Sequence, residues 1–349
     1  MTQPFAAALA DDDEIGAWFT PHAELGAMLA FEAALAAAQA ACGLIPARAA
    51  AAIETAVAGF VPDMDALAVG LRQDGVLGPS LVAALRQHVP EPHTKFLHFG
   101  ATSQDITDTA LTLRLKPVLA LLDDRVAALI AALKDMRAAQ GSVRLMAQTR
   151  MQQALPFTVA DKLATWLQPL PRHRARLAAL APRLLVVQLG GPVGTRAELH
   201  GQGNAVATGL AQRLGLQEAP CWHNARDNIV ELGNIAAMIC GATGKIGADA
   251  GLLAQTALGA LHIEAGGRSS AMTHKANPVT AELLVTLARY AGGLAGTLTT
   301  ALVHENERSG AAWTLEWLTL PPLLCVAGAA LAQATGLVRR LHFVRTAGL

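Results

Sequence analysis

The sequence predicts an all-α protein, and two observations carry that expectation. Apolar residues fill 52% of the 349 positions while aromatics fill only 4%, alanine making up most of the difference. The apolar positions recur at three- and four-residue spacings without strict alternation, which is the pattern of long helices in close contact. A chain of this length can bury a large core, in two domains or in one elongated one.

Taken in order, residues 22–42 (HAELGAMLAFEAALAAAQAAC) have helical spacing with Glu24 and Glu32 on the polar side, and they end at Gly43 and Pro46. Residues 48–58 predict a second helix and 79–88 a third, separated by Gly and Pro punctuation at 59–62 and 75–79. A small helical domain is expected over residues 1–105, followed by a long-helix bundle domain over 106–349. Pro90 and Pro92 stop the chain before the polar stretch 98–109, where Thr102, Ser103 or Asp105 can cap a helix beginning near Ile106. Leucine and valine at i, i+3 and i+4 then predict a long helix over 111–140, with others over 228–262 and 279–302. Pro321 and Pro322 kink or restart a last helix that runs to about Arg340. Residues 317–338 carry no charge, but the prolines leave about 16 residues, short of the roughly 20 that a spanning helix needs. A buried bundle helix is expected there, and no membrane partner.

The chemistry concentrates in residues 266–282, GGRSSAMTHKANPVTAE. Gly266 and Gly267 permit backbone conformations that a Cβ forbids, as in a mobile loop between two helices. Ser269 and Ser270 bring hydroxyls, His274 and Lys275 bring cationic or proton-donating groups, and Asn277 brings an amide. Pro278 opens a helix whose first N–H groups favour anions. The segment suits an anionic substrate and a hydroxyl that gains or loses a proton. For an isolated SSxxxxK, a solvated loop with a charged cap would be the plainer account.

The match is longer than that. Ser269, Ser270, Met272, Lys275 and Asn277 stand in register with the GSSxMPxKxN signature of the fumarase/aspartase superfamily, which the chain resembles. Arg268 replaces the usual Gly before the serines, and Thr273 the Pro after Met272. Residues 98–109 resemble the superfamily's HxGxTSxD element at His98, Gly100, Thr102, Ser103 and Asp105. Residues 148–158, QTRMQQALPFT, resemble its THxQxAxPxT element at Thr149, Gln152, Ala154, Pro156 and Thr158. Runs at 182–195, 223–234 and 304–317 extend the resemblance over nearly the whole chain from about residue 20.

The resemblance implies a two-domain helical enzyme. Many relatives continue into a third small helical domain beyond the point where Leu349 stands, so that domain is expected to be absent or truncated. It implies a homotetramer whose active sites draw on several subunits. Ser269 is implied as the proton-transferring residue, with Lys275 and Asn277 holding the reacting carboxylate and Thr102, Ser103, Arg150 and Arg308 the others. His98, Thr149, Gln152, Ser270 and Met272 complete the implied substrate contacts. Arg150 stands where most relatives have a proton-carrying histidine. An arginine cannot shuttle protons near neutrality but binds carboxylates well. Expelling ammonia, water or an amine needs a second acid, whereas a carboxylate leaves unaided. The implied branch is therefore a lactonising cycloisomerase of aromatic-acid catabolism, adding a carboxylate of a small polycarboxylate across a conjugated double bond. The alternatives are an adenylosuccinate lyase-type β-elimination and an inactive helical relative that serves as a scaffold.

Other classes fit poorly. Lysine plus arginine and aspartate plus glutamate number 27 each, so no overall field draws nucleic acid. Cys42, Cys221, Cys240 and Cys325 form no metal-ligand spacing and read as thiols of a reducing cytoplasm. The first residues, MTQPFAAALADDDE, have no basic start before the apolar run and do not read as a signal peptide. GATGKIG at 241–247 lies in a helical pattern and lacks the hydroxyl after Lys245, LGGPVGT at 189–195 follows no βαβ unit, and His262 with Glu264 is a lone pair. No cofactor and no metal are expected.

Overall fold

Helices carry most of the chain, and their order places the site. In the computed structural model, which describes residues 5–264, 266–268, 272 and 276–346, the N-terminal helices are α1 (Asp13–Gly16), α2 (Pro21–Ala41), α3 (Ala47–Ala58), α4 (Met64–Asp74) and α5 (Gly78–Arg86). The long helix α6 (Ser103–Gln140) leads into a hairpin of β1 (Arg144–Thr149) and β2 (Gln152–Thr158). Three medium helices follow, α7 (Val159–Leu167), α8 (Leu170–Leu184) and α9 (Gly203–Leu214). Then come α10 (Asp227–Leu253), the short strands β3 (Leu261–Ile263), β4 (Gly267–Arg268) and β5 (Ala276–Asn277), α11 (Val279–Thr300), α12 (Gly310–Val338) and β6 (Leu341–Phe343).

The largest core joins α6, α7, α8, α10, α11 and α12 through buried leucines and alanines such as Leu122, Leu133, Ile239, Leu284 and Leu331. A second core packs α2 against α9 and the first turns of α6, with Phe31, Ile106 and Leu210 at its centre. A third gathers α3 and α5 around Ile53 and Leu85. Small residues set the spacing: a Cβ on Gly244 of α10 would stand 2.5 Å from the Ala288 Cβ of α11. The helices 227–253 and 310–338 are long and apolar enough to cross a membrane, but 61% and 67% of their most apolar windows are buried in the protein. They are core helices.

Several expectations need correction. Residues 64–74 form α4 between the glycine and proline breaks, with Asp63 accepting from the Ala66 N–H as its cap. Pro321 and Pro322 neither end nor restart the last helix, because α12 runs through both without a break. The missing N–H groups cost it only two bonds, to the carbonyls of Trp317 and Leu318. The buried neighbours Leu320, Leu323, Leu324 and Val326 outweigh that loss. Helix α10 ends at Leu253 and not at residue 262, since the turn at Gly259, with φ of +58°, redirects the chain into β3. Glu32, assigned to a polar face, is 1% exposed and ion-paired with His98.

The strands are local. β1 and β2 pair antiparallel from Arg144 opposite Thr158 to Thr149 opposite Gln152, with an irregularity between Met146 and Gln148. β4 pairs with β5, and β3 pairs with β6 near the end of the chain.

Candidate active site

The N-terminus of α6 is built around Asp105. Its carboxylate is fully buried and accepts from the N–H groups of Thr102 at 3.0 Å, Gly190 at 2.7 Å and Gly191 at 2.9 Å. His223 Nε2 lies 3.0 Å from the same carboxylate. Burial alone would lower the His223 pKa, but bonds to Asp105 and Cys221 override it and hold the imidazole up at about 9. His223 is therefore an imidazolium at neutral pH, fixed against an anion. The 189–195 segment, which might have suggested a nucleotide loop, cradles this internal carboxylate instead.

That scaffold holds the hydroxyl pair and one arginine. Thr102 caps α6, and Ser103 starts it. Ser103 packs so closely on α5 that a Cβ on Gly78 would stand 2.8 Å from its Oγ. Gln104, buried in the next position, donates to the His223 carbonyl at 2.7 Å and accepts from Arg308 Nε at 2.7 Å. A second Arg308 nitrogen reaches the Pro192 carbonyl at 3.3 Å. Both acceptors are neutral, so among the described residues the exposed Arg308 guanidinium has no carboxylate partner and is oriented for an anion from outside. His98 adopts φ of +60° and commits Nδ1 to Glu32 at 2.5 Å. Burial opposes its charge, yet Glu32 raises its pKa overall.

One turn further along α6 lies a charged core. Arg226, 1% exposed, bonds Asp108 at 2.6 and 3.1 Å and Glu316 at 2.9 Å, and it stacks over the Trp222 ring at 4.6 Å. Trp313 Nε1 donates to Asp108 at 3.0 Å. The salt bridges tie α6, the start of α10 and α12 together beneath the site. Such a buried network is costly to break at any one member, because an unpaired charge remains.

The other predicted residues lie elsewhere. Helix α6 spans 38 residues, about 57 Å at 1.5 Å per residue, and the β1–β2 hairpin leaves its far end. Arg150 and Met151 form the two-residue tip, both with positive φ, 49° and 65°. Thr149, Arg150 and Gln152 are exposed. Arg150 makes no hydrogen bond or ion pair with any described residue.

The described strands of the 266–282 segment, β4 and β5, lie at this same end, since β3 just ahead of them is tied through β6 to Gln140 of α6. β4 and β5 bring Gly267 opposite Asn277. Neither Gly266 nor Gly267 has a positive φ, so the expected backbone reason for them does not hold. Space is the reason: a Cβ on Gly266 would stand 3.1 Å from the Asn277 carbonyl, and one on Gly267 would collide with Val279. Asn277 is half-buried and Met272 exposed. Ser269, Ser270, His274 and Lys275, with the mobility expected of this loop, lie outside the described residues.

One chain thus brings together His98, Thr102, Ser103 and Arg308 at one end of the bundle, and the Arg150 hairpin with the β4 and β5 strands at the other. The hydroxyls and Arg308 stand in contiguous motifs that local sequence reading picks out. Such reading misses the buried frame of His223, Gln104 and Arg226, although His223 and Arg226 lie in the 223–234 run that carries part of the resemblance.

A long-helix fold of this order, with a hydroxyl pair at the start of one long helix, is shared with the lyases. The chain belongs to the lyase family, whose model matches residues 9–293, within the fumarase/aspartase superfamily. It is 43% identical over 332 residues to a 3-carboxy-cis,cis-muconate cycloisomerase of Pseudomonas aeruginosa, covering 93% of this chain and 72% of that one. With the enzyme of the same name from Pseudomonas putida it shares 39% identity, over 90% of this chain and 76% of that one. The crystal structure of the 3-carboxy-cis,cis-muconate lactonizing enzyme from Pseudomonas putida superposes with a TM-score of 0.90 at 36% identity, covering 98% of this chain and 78% of that chain.

Proposed function

We propose that this chain is a 3-carboxy-cis,cis-muconate cycloisomerase, closing the lactone ring of 4-carboxymuconolactone within the protocatechuate branch of aromatic degradation. The observation that carries the reading is Arg150. It stands exposed on a hairpin tip without a described partner, in a chain similar along almost its whole length to enzymes of that name.

In the forward direction one substrate carboxylate oxygen adds to a conjugated carbon. The C–O bond forms, and the displaced π pair moves onto the carbon α to a second carboxylate. The resulting enolate-like polyanion needs fixed cations and donors more than it needs an acid of matched pKa. Lys275 and Asn277 hold the attacking carboxylate, while Thr102, Ser103, Arg150 and Arg308 take the rest, with His98, Thr149, Gln152, Ser270 and Met272 around them. Ser269 donates its proton to the carbanionic carbon and recovers one from solvent.

Because Thr102, Ser103 and Arg308 lie at the opposite end of α6 from Arg150 and Asn277, the proposed site draws on several subunits, and a homotetramer is part of the proposal. Helix α11 supports it. Gly292, Gly293 and Gly296 sit on its exposed side with open space where a Cβ would be. Each costs about 1 kcal/mol in a helix relative to alanine, a loss that close approach of another helix would offset. A cytoplasmic location is also proposed, in keeping with four unpaired cysteines.

Purified protein mixed with 3-carboxy-cis,cis-muconate should bleach the diene absorbance and yield the lactone. Unchanged absorbance at high enzyme concentration would overturn the assignment. Ser269→Ala should lower kcat by about 10²-fold or more with little change in melting temperature. Activity within a few-fold of wild type would pass the proton to another group.

A further inference from the structure

The proposed mechanism gives Glu32 no role, although its carboxylate is buried in the middle of α2 at 1% exposure. One oxygen meets His98 Nδ1 at 2.5 Å, and the other, Oε2, has no hydrogen-bond partner among the described residues. A buried carboxylate with a single partner adds little stability to a helix, so its use lies in what it does to the imidazole. The loop that carries His98 is held from several sides. Gln39, about two turns further along α2, donates to the Phe99 carbonyl at 2.6 Å. A Cβ on Gly191 would stand 3.1 Å from the Gly100 carbonyl, and one on Gly100 would stand 2.6 Å from the Leu199 side chain. Within this loop His98 takes φ of +60°, a conformation that a residue with a Cβ keeps only when its surroundings enforce it. Thr102 and Ser103 of the site follow directly in the chain. The His98 side chain is 13% exposed, and Nε2 has no partner among the described residues and is not sealed from solvent.

We propose that Glu32 is a positioning residue of the site, holding His98 as an imidazolium whose Nε2–H donates to one carboxylate of the substrate. The identity of that anion rests on the lactonising reading; the hold of Glu32 on His98 does not. Nδ1 is committed to Glu32, so the ring cannot rotate away from the direction that Nε2 faces, and the second proton makes Nε2 a charged donor. The charged groups packed against the ring are Glu32 from α2, Asp105 from α6 and Arg86 from α5. Burial opposes the imidazolium most and Arg86 adds to that, but Glu32 and Asp105 together raise the pKa above the ordinary 6.5. A carboxylate gripped equally in the ground state and the transition state contributes to binding, so loss of the grip appears in KM and not in kcat.

Glu32→Gln keeps the size and an acceptor oxygen but removes the charge. At about pH 7.5 its KM for 3-carboxy-cis,cis-muconate should rise about tenfold, with kcat within about threefold of wild type. The KM difference should shrink towards about pH 5.5, as the imidazole regains its proton without help. A KM ratio independent of pH, or a loss confined to kcat, would overturn the proposal, because a pair that only supports the fold would give either result. Glu32→Asp, which keeps the charge, should lie closer to wild type at pH 7.5 than Glu32→Gln does, and the reverse order would also count against it. A second measurement needs no turnover. In protein labelled with 15N-histidine, and with His98→Asn identifying the signal, His98 should be protonated at both nitrogens at about pH 7.5 in the wild type and neutral in Glu32→Gln. A neutral His98 in the wild type would overturn the proposal even in an active enzyme. If the wild type leaves the tricarboxylate unchanged, the lactonising reading falls, and the resonances decide the role of Glu32 alone. If Glu32→Gln fails to fold, Glu32→Asp and the wild-type resonances decide it.

Discussion

Asp105 carries more of the site than its position in a capping motif implies. Four donors converge on one fully buried carboxylate, and the only charged donor among them is His223. That makes the site's integrity pH-dependent in a definite direction. The folded pKa of His223, about 9, lies above the ordinary 6.5. Its contribution is therefore fully present below pH 6.5 and is lost as pH rises through 9. The shift corresponds to roughly 3 kcal/mol. Urea unfolding should show the wild type losing stability between pH 6.5 and 9.5 more steeply than His223→Asn does. Parallel curves would mean that the imidazole is not charged in the folded state.

At the scale of elements, the β1–β2 hairpin is the part whose form its sequence opposes. A two-residue hairpin loop with both φ values positive favours Asn-Gly, and Arg150 and Met151 each pay about 1–2 kcal/mol for the left-handed region. Met151→Gly should relieve one of these, increasing amide-exchange protection of residues 145–157 by about two- to five-fold, or about 0.5–1 kcal/mol after the entropy lost by glycine. Reduced protection would show that the Met151 side chain holds the turn. The same element shows where sequence reading stops. Helices α6, α10 and α12 announce themselves by long alanine and leucine periodicity. The hairpin does not, because most of β2 is exposed and polar residues interrupt any alternation. The site divides in the same way. Thr102, Ser103 and Arg308 stand in contiguous motifs, whereas the Asp105 cradle joins residues 85 and 118 positions away, partners that only tertiary structure supplies.

At the scale of the molecule, the distance along α6 sets the experiment. Inactive Arg150→Ala and Ser269→Ala proteins, unfolded together and refolded as a mixture, should regain part of the activity, since some sites would draw both intact residues from different parents. No recovery from verified mixed tetramers, or a fully active monomer in light scattering, would remove the shared-site proposal. Strand β6 pairs with β3 directly ahead of the serine segment, while Gln140 at the end of α6 grips β6 through the Leu341 carbonyl and the Phe343 N–H. Just beyond, Thr346 bonds Arg144 and Met146 of β1. The last described residues thus act as a common hinge leaf for β3 and the β1–β2 hairpin at that end of α6, so that a displacement of one pulls on the other within the same chain.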